Sequence, residues 1–422
     1  MGSRGVRTVL LSAITVLIAS MLFAFGFLLH VVIDRGQDAD AGAAQRSAAA
    51  SGADQLDPKV LDEIIAILQE DFVDQTRIDR ELLLQGAIQG IFTSLNDPHS
   101  TYIDPRTYSL SRDDFSGAFQ GIGATVAKDG DYVVISRPLP DTPAERAGVL
   151  AGDRLLAVNG EDAFGWGVEK AVIKIRGPRG TTVEIKVRRA DGSEQTFKIV
   201  RDEVLVASVD TTPPTRKFID TSGAEVKDLA YIHIRSFTSR TPKELTDAVE
   251  AAQRGGAKGL ILDVRGNPGG LLRETAQISD MFLEKGTILA QVDRDGREQR
   301  IEARAGNEIT KLPVVVVQDE TSASGSEVLA AALQENGRAT VVGTKSFGKG
   351  TVNHARELSN GGAVYVSIAR WLTPKGAQIE GQGVQPDIAI TLTADDIEQA
   401  RDVAILRAIE LLRSGTPARA AG

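Results

Sequence analysis

VQDETSASGSEVLAAALQENGRATVVGTKSFGKGTVN, residues 317–353, joins a serine cluster at a predicted helix start to a lysine in a glycine hairpin. A buried strand, LPVVVVQ at 312–318, leads into this stretch, and the helix-forming VLAAALQ follows the serines. Ser324 is therefore expected in the first turn of a helix, where the positive end of the helix dipole stabilises a developing negative charge. The alternative interpretation is that these serines only cap the helix.

A serine nucleophile needs a base, and the sequence offers few candidates. There is no cysteine, and none of the histidines lies in a telling motif; they are His30, His99, His233 and His354. A lysine can serve when burial lowers its pKa from about 10.4 toward neutrality, and Ser–Lys pairs are a known variant of the serine hydrolase scheme. Lys349 stands between two glycines and after Phe347, which could shield it from water. A solvated hairpin lysine is the alternative.

Composition limits the class of protein further. A chain of 422 residues with 42% hydrophobic content is long enough for two or three domains with real cores. The net charge of −9, with no basic stripe, argues against nucleic acid as a partner. The lack of cysteine excludes disulfides, thiolate metal sites and a cysteine nucleophile.

The N-terminal region is expected to meet a membrane. Residues 8–33 form one uncharged apolar run, and roughly 20 apolar residues suffice to cross a bilayer as a helix. Arg4 and Arg7 precede the run and Asp34 follows it, which places residues 1–34 as a cytoplasmic N-terminus and anchor and exports the rest. We expect a single-pass protein of the bacterial cell membrane with an extracytoplasmic catalytic domain. A cleaved signal sequence, giving a secreted protein, is the alternative.

The exported part is expected to contain several segments. Residues 35–55 are small and polar and predict a flexible linker. Residues 56–102 predict a helical segment, opened by Asp57-Pro58 and carrying an apolar stripe around Ile64 and Ile65.

Residues 103–203 predict a β-rich module. Its sequence TPAERAGVLAGDRLLAVNG, at 142–160, resembles that of a PDZ domain. The resemblance implies a loop that holds a peptide's terminal carboxylate on backbone N–H groups while the peptide extends a sheet edge. This loop would consist of Phe119, Gln120, Gly121, Ile122 and Gly123. A small β-barrel acting as a spacer is the alternative.

Residues 204–393 return to α/β alternation. A short buried strand, GLILDV, runs into the glycine-rich turn RGNPGG at 265–270 and then into a helix. Such a turn can aim N–H groups at an anion, although the Gly-Lys-Ser/Thr ending of a phosphate-binding loop is absent. Residues 394–422 predict a C-terminal helix, over 394–413, and a tail.

Four motifs in order make the chain similar to the carboxyl-terminal processing protease family. They are LDVRGNPGG, SASGSE, FGKG and TPKGAQIEGQGVQPD. The resemblance implies an α/β (α+β overall) fold, with a crotonase/Clp-protease-like core and an inserted PDZ domain. It also implies that Ser324 is the nucleophile and Lys349 the base.

The same resemblance implies supporting residues, with two departures from the family pattern. Asn353 stands where a glutamine commonly orients the lysine, and Glu335 matches an acidic position sometimes implicated in the family. The oxyanion hole would use backbone N–H groups of Gly269 or Gly270, and of Gly325, where alanine is usual.

The resulting hypothesis is a membrane-anchored serine endopeptidase that cleaves exported proteins near their C-termini. The PDZ domain guides or gates the substrate, and neither metal nor other cofactor is required. A homo-oligomer or an activating adaptor remains open as a partner. One rival is an inactive PDZ scaffold at the membrane, favoured by the departures at Asn353 and Gly325. Another is an acyl-CoA enzyme, which the serine–lysine pair and the PDZ insertion oppose.

Overall fold

The structure is a computed structural model of the chain. It describes residues 57–214, 217–390, 393–399 and 401–415. The predicted membrane segment over 8–33 and the linker over 35–55 lie outside these ranges. Every helix in the described ranges is too short or too polar to cross a membrane.

The regular elements are numbered in chain order. The helices are α1 (Lys59–Asp71), α2 (Arg80–Leu95), α3 (Pro105–Ser116), α4 (Pro143–Arg146), α5 (Val168–Ile175), α6 (Thr241–Arg254), α7 (Leu272–Asp280), α8 (Gly325–Glu335), α9 (Ala394–Glu398) and α10 (Val403–Ser414). The strands are β1 (Thr101–Ile103), β2 (Ala118–Gly121), β3 (Ala124–Asp129), β4 (Tyr132–Pro138), β5 (Arg154–Val158), β6 (Glu161–Asp162), β7 (Thr182–Arg188), β8 (Glu194–Val200), β9 (Asp202–Leu205), β10 (Val209–Asp210), β11 (Ala230–Ile234), β12 (Leu260–Asp263), β13 (Thr287–Asp293), β14 (Glu298–Glu302), β15 (Val314–Gln318), β16 (Ala339–Gly343), β17 (Thr351–Glu357), β18 (Ala363–Leu372) and β19 (Ile388–Ala389).

The described chain divides into two compact units. The smaller contains residues 57–105 and 353–367, and the larger contains residues 106–352 and 368–415 within the described ranges. In the smaller unit, α1 and α2 precede β1, which pairs antiparallel with residues 363–365 of β18. The predicted helical segment is therefore present.

The ends of α2 follow from local chemistry. The side chain of Asp79 accepts the N–H groups of Glu81 and Leu82 and so caps the first turn. At the other end Asn96 adopts a left-handed conformation with φ of 52°, which stops the helix. The apolar stripe of α1 packs less than its pattern predicts, because Ile65 is buried whereas Ile64 and Ile67 are exposed.

Residues 118–205 of the larger unit form an antiparallel module. β3, β4, β5, β7 and β8 lie side by side in that order, with β6 on β5, and β2 pairs separately with β9. A hairpin turn at Asp129-Gly130 joins β3 to β4, and Gly130 has the positive φ of 57° that this turn needs. The helices α4 and α5 complete the module, whose core includes Ile135, Leu155 and Ile185.

The rest of the larger unit is built on a mostly parallel sheet in the order β10-β11-β12-β15-β16-β19. Only β10 is antiparallel to its neighbour. Nearly continuous apolar strands such as VVVVQ suit a sheet covered on both faces. The expected α/β architecture is confirmed.

Alternate residues of these strands face two separate cores. Leu260 and Leu262 of β12 pack with residues of α6, α7 and α8. Ile261, between them, packs in a second cluster with residues of α10. Because β12 and β15 both run into loops at their C-terminal ends, the glycine turn and the serine cluster emerge at the same edge of the sheet.

The C-terminal region corrects one expectation. The helix predicted over 394–413 forms as two helices, α9 and α10. The carboxylate of Asp402 caps α10 by accepting the N–H of Ile405, and it also forms an ion pair with Arg265 at 2.7 Å. A second capped start within the pattern explains why one continuous apolar stripe does not give one helix.

Candidate active site

Ser324 lies in the sharp turn between β15 and α8. Its backbone has φ of 54° and ψ of −111°, a rare conformation for a residue with a side chain, which costs on the order of 1–3 kcal/mol. Its N–H donates to Glu327 Oε2 at 2.7 Å, and its carbonyl accepts the N–H of Val328 at 2.9 Å. A strained strand-to-helix turn of this kind presents a nucleophilic oxygen while the backbone is held.

Asn267 fastens this turn from the neighbouring strand end. Its side chain is fully buried. Its backbone carbonyl accepts the N–H of Ala323 at 3.0 Å and the hydroxyl of Ser326 at 2.9 Å. Ala323 and Ser326, which lie on either side of Ser324 in the chain, are thus hydrogen-bonded to the glycine-rich turn at 265–270. The two loops predicted to form the site are brought together.

Lys349 lies in the loop between β16 and β17, here called the lysine loop. The predicted hairpin is not formed, because β16 and β17 belong to different sheets and do not pair with each other. The backbone of the lysine loop is hydrogen-bonded on both sides of the lysine. The N–H and C=O groups of Gly348, Lys349 and Gly350 all have partners at 2.6 to 3.0 Å. The three N–H groups donate to Glu327 Oε1, Glu327 Oε2 and Glu380 Oε2, and the three carbonyls accept from Gly381 N, Trp371 Nε1 and Trp371 N. The backbone under the lysine is therefore fixed before any substrate arrives.

Glu327, in the first turn of α8, connects Ser324 to the lysine loop. Its carboxylate is fully buried and accepts four hydrogen bonds. The donors are the hydroxyl of Ser346 and the N–H groups of Ser324, Gly348 and Lys349. Burial raises the pKa of this carboxyl above its ordinary value, although the four hydrogen bonds act in the opposite direction.

The N–H groups of Gly269 and Gly270, the two predicted oxyanion donors in the glycine turn, differ in their hydrogen bonding. A Cβ added to Gly269 would lie 2.8 Å from both the Gly325 nitrogen and the Ser324 Cβ, so these residues are in close contact. The Gly269 N–H already donates to Asn267 Oδ1 at 2.8 Å. Among the described residues, neither the N–H of Gly270 nor that of Gly325 donates to a protein acceptor. These two groups are the ones available for an oxyanion.

The two candidate supports for Lys349 bond to other groups. The amide nitrogen of Asn353 donates to the carbonyl of His99 at 2.8 Å and to Ser367 Oγ at 3.2 Å, all within the smaller unit. Glu335, the last residue of α8, accepts the N–H of Lys375 at 2.7 Å. An orienting role of Asn353 or Glu335 toward the lysine stays a prediction.

The predicted carboxylate loop lies at the end of β2. The Phe119 ring lies under the Arg176 guanidinium at 4.3 Å, and Gln120 Oε1 accepts the N–H of Arg179 at 2.8 Å. Ile122 is buried in the core of the module, and Gly121 ends the strand.

Gly123 shows why this loop needs glycine. It has φ of 78°, and an added Cβ would lie 2.4 Å from Thr142 Cβ. In the described part of the chain, the N–H groups of Ile122 and Gly123 donate to no protein acceptor. The loop therefore presents adjacent N–H groups of the kind that bind a carboxylate.

Sequence reasoning missed three residues that hold the site. Glu327 carries a detectable signal, because Ser324 and Glu327 have the S-x-x-E spacing of a helix capping box. Trp371 and Glu380 carry no such signal, since each reaches the lysine loop only through the tertiary fold.

Comparison with known proteins fits this geometry. Three family models match: "Peptidase family S41" over residues 228–390, "PDZ domain" over 134–189, and "Activating protease CtpB N-terminal domain" over 23–107. The carboxy-terminal processing protease CtpA of Bacillus subtilis (strain 168) is 38% identical over 77% of this chain and 67% of its own length.

One further relative and one solved structure are also similar to this chain. CtpB of the same organism is 35% identical over 81% of this chain and 70% of its own length. A solved photosystem II D1 C-terminal processing protease is 27% identical, with a TM-score of 0.46 over 82% of this chain and 96% of its own. The chain belongs to the S41 family of carboxy-terminal processing serine peptidases and carries a PDZ domain, a type of domain that binds peptide C-termini.

Proposed function

We propose that this peptidase acts through a Ser324–Lys349 dyad. Neutral Lys349 takes the proton from Ser324 Oγ, and the oxygen attacks a peptide carbonyl carbon. The tetrahedral oxyanion accepts hydrogen bonds from the N–H groups of Gly270 and Gly325. The C–N bond then breaks while Lys349 returns the proton to the leaving amine, and water hydrolyses the remaining acyl ester by the same route.

One observation carries the assignment. A single buried carboxylate, that of Glu327, accepts the backbone N–H groups of both Ser324 and Lys349. A capping serine and an unrelated loop lysine would have no reason to share this buried partner. The shared partner holds a nucleophile and its base in one frame, as a dyad requires.

We further propose a location, a substrate class and a finer fold class. The peptidase is anchored in the bacterial cell membrane by residues 8–33, faces the extracytoplasmic side, and cleaves exported proteins near their C-termini. The PDZ domain, within 103–203, captures the free carboxylate, and the core, within 204–393, has the crotonase/Clp-protease type of fold. The apolar run at 8–33 and the glycine loop at 119–123 support these proposals.

Proteolysis by the full chain tests the dyad. An unfolded protein and tail peptides are offered to the wild type, to Ser324→Ala and to Lys349→Ala, and a fluorophosphonate probe is used to label the nucleophile. We expect both variants to lose activity and the label to map to Ser324. Full activity of either variant would refute its assigned role. Absence of labelling and proteolysis in the wild type would favour the inactive scaffold.

Membrane fractionation tests the location separately. The full chain is expected in the membrane fraction, and a chain that begins after residue 34 in the soluble fraction. Recovery of the full chain as a shortened soluble form would instead indicate a cleaved signal sequence.

A further inference from the structure

Residues 379–384 form a loop, the 379–384 loop, that packs against the lysine loop. The N–H of Gly381 donates to the carbonyl of Gly348 at 2.9 Å. Val384 exchanges two hydrogen bonds with Ser346, through its N–H at 2.6 Å and its carbonyl at 3.2 Å. The 379–384 loop therefore forms one wall of the lysine loop.

Glu380, in this loop, bonds directly to the peptide group that follows the lysine. Its Oε2 accepts the N–H of Gly350 at 2.8 Å. The carbonyl on the other side of that peptide, of Lys349, accepts the indole N–H of Trp371 at 2.8 Å. The backbones also approach closely, since a Cβ added to Gly350 would lie 2.8 Å from the Glu380 nitrogen.

These bonds fix the direction in which the lysine side chain leaves the backbone. Two peptide planes flank the Lys349 Cα, and each is held on both edges. Because the planes are rigid, holding both fixes φ and ψ of Lys349. Of the side chains that hold them, Glu327 and Trp371 are buried, whereas Glu380 is exposed.

We propose that Glu380 is a positioning residue for the base. Its carboxylate holds the Lys349–Gly350 peptide and so aims the amine at Ser324. The inference rests on the proposed dyad. It assigns no contact between Glu380 and the substrate, so its removal should change the rate of the chemical step and leave substrate binding alone.

Glu380→Ala removes the acceptor, and Glu380→Gln retains an oxygen acceptor without the charge. We expect Glu380→Ala to lower kcat by about tenfold with KM within about twofold, since small displacements of a catalytic group are costly. Glu380→Gln is expected to restore most of the lost kcat. Gln382→Ala, an exposed change in the same loop, is the matched control and should keep wild-type rates.

The assay uses the full chain and divides each rate by the number of sites that react with a fluorophosphonate, so that unfolded molecules are not counted. Thermal unfolding is followed in parallel. A lower kcat for Glu380→Ala at unchanged KM and melting temperature, restored by Glu380→Gln, supports the proposal. An unchanged kcat, or equal losses in both variants with a lower melting temperature, overturns it. Lys349→Ala is measured alongside: if it stays active, the dyad itself fails, whatever Glu380 does.

Discussion

The carboxylate of Glu327 accepts the backbone N–H of Lys349 at 2.9 Å from a fully buried position in the first turn of α8. The same oxygen accepts the N–H of Ser324 at 2.7 Å. Because both bonds end on one atom, hydrogen-bond geometry sets the separation of the two backbones. Lys349 contributes its side chain to the site, whereas Glu327 determines the position of the Lys349 backbone.

Loss of the Glu327 carboxylate should destabilise the fold and abolish activity. In Glu327→Ala, the Ser346 hydroxyl and the N–H groups of Ser324, Gly348 and Lys349 lose their buried acceptor. We expect the free energy of unfolding to fall by about 3–5 kcal/mol and peptide hydrolysis to fall at least about a hundredfold.

Urea denaturation and a peptide hydrolysis assay measure these two effects. Glu298→Ala, at an exposed ion pair with Arg300 on β14, serves as the control and should stay within about 0.5 kcal/mol of the wild type. Equal stability of the two variants would contradict the prediction.

The raised pKa of Glu327 predicts a particular pH dependence of stability. The native state holds this proton more tightly than the unfolded chain, whose value is near 4.5. Between that pH and the folded pKa, the native state binds more protons, so the stability contributed by this group falls as pH rises and levels off above the folded pKa.

The difference in unfolding free energy between the wild type and Glu327→Gln, measured from pH 4 to pH 8, isolates this contribution. Carboxyls whose pKa is lowered in the native state, such as that of Asp263, change stability at lower pH and in the opposite direction. They are present in both proteins, so their contribution cancels in the difference. A difference that rises with pH would show that the carboxyl has a lowered pKa instead.

Gly325→Ala, a change to the alanine that the family resemblance implies at this position, should destabilise the fold and lower activity. The new Cβ would lie 2.6 Å from Thr275 Oγ1 and 2.9 Å from Phe237 Cδ2. We expect a loss of about 1–3 kcal/mol in unfolding free energy and a lower kcat, because the shift displaces an oxyanion donor.

Thr275→Ala should restore part of the loss when it is combined with Gly325→Ala, and a double-mutant cycle measures the coupling. Gly86→Ala, at a helical glycine with open space around it, is the control and should be neutral or slightly stabilising. Purely additive effects at 325 and 275 would show that the contact with Thr275 is not the cause.

The PDZ domain should distinguish a free carboxylate from an amide. With Ser324→Ala to prevent cleavage, the full chain is expected to bind a tail peptide at least about tenfold more tightly as the acid than as the C-terminal amide. Gly123→Ala should remove that preference, because its Cβ would strike Thr142.

Fluorescence anisotropy with labelled peptides measures both effects. Gly130→Ala introduces a side chain at a similar positive φ, in the β3–β4 turn, where no atom lies nearby. It therefore controls for backbone strain. If Gly130→Ala loses the acid preference as fully as Gly123→Ala, the loop at 119–123 is not the carboxylate site.

Local patterns predicted the parts of the site well. The apolar strand VVVVQ, the glycine turn and the helix-forming run after the serines give the strand–loop–helix order in which Ser324 lies. The hairpin at Asp129-Gly130 and the capped start of α2 likewise follow from short-range turn and capping chemistry. Such features depend on residues within a few positions of one another.

The features of the site that the sequence did not predict depend on contacts between residues far apart in sequence. Nothing near Trp371 indicates that its indole N–H will reach the carbonyl of Lys349. The N–H of Gly269 and that of Gly270 are equal candidates in the sequence, and only the fold shows that the side chain of Asn267 occupies the first. The break between α9 and α10 likewise depends on Asp402, whose partner Arg265 lies on another loop.

Six hydrogen bonds to Gly348, Lys349 and Gly350 end on main-chain atoms of these residues. Main-chain bonds do not require a lysine at 349, so we expect them to persist in Lys349→Ala and to keep the lysine loop in its native shape. A Lys349→Ala protein would then keep an intact Ser324, an unchanged oxyanion turn and a working PDZ domain while lacking the group that starts the reaction. Such a protein would serve as a substrate trap. It should retain uncleaved substrate proteins long enough for cross-linking and mass spectrometry to identify them.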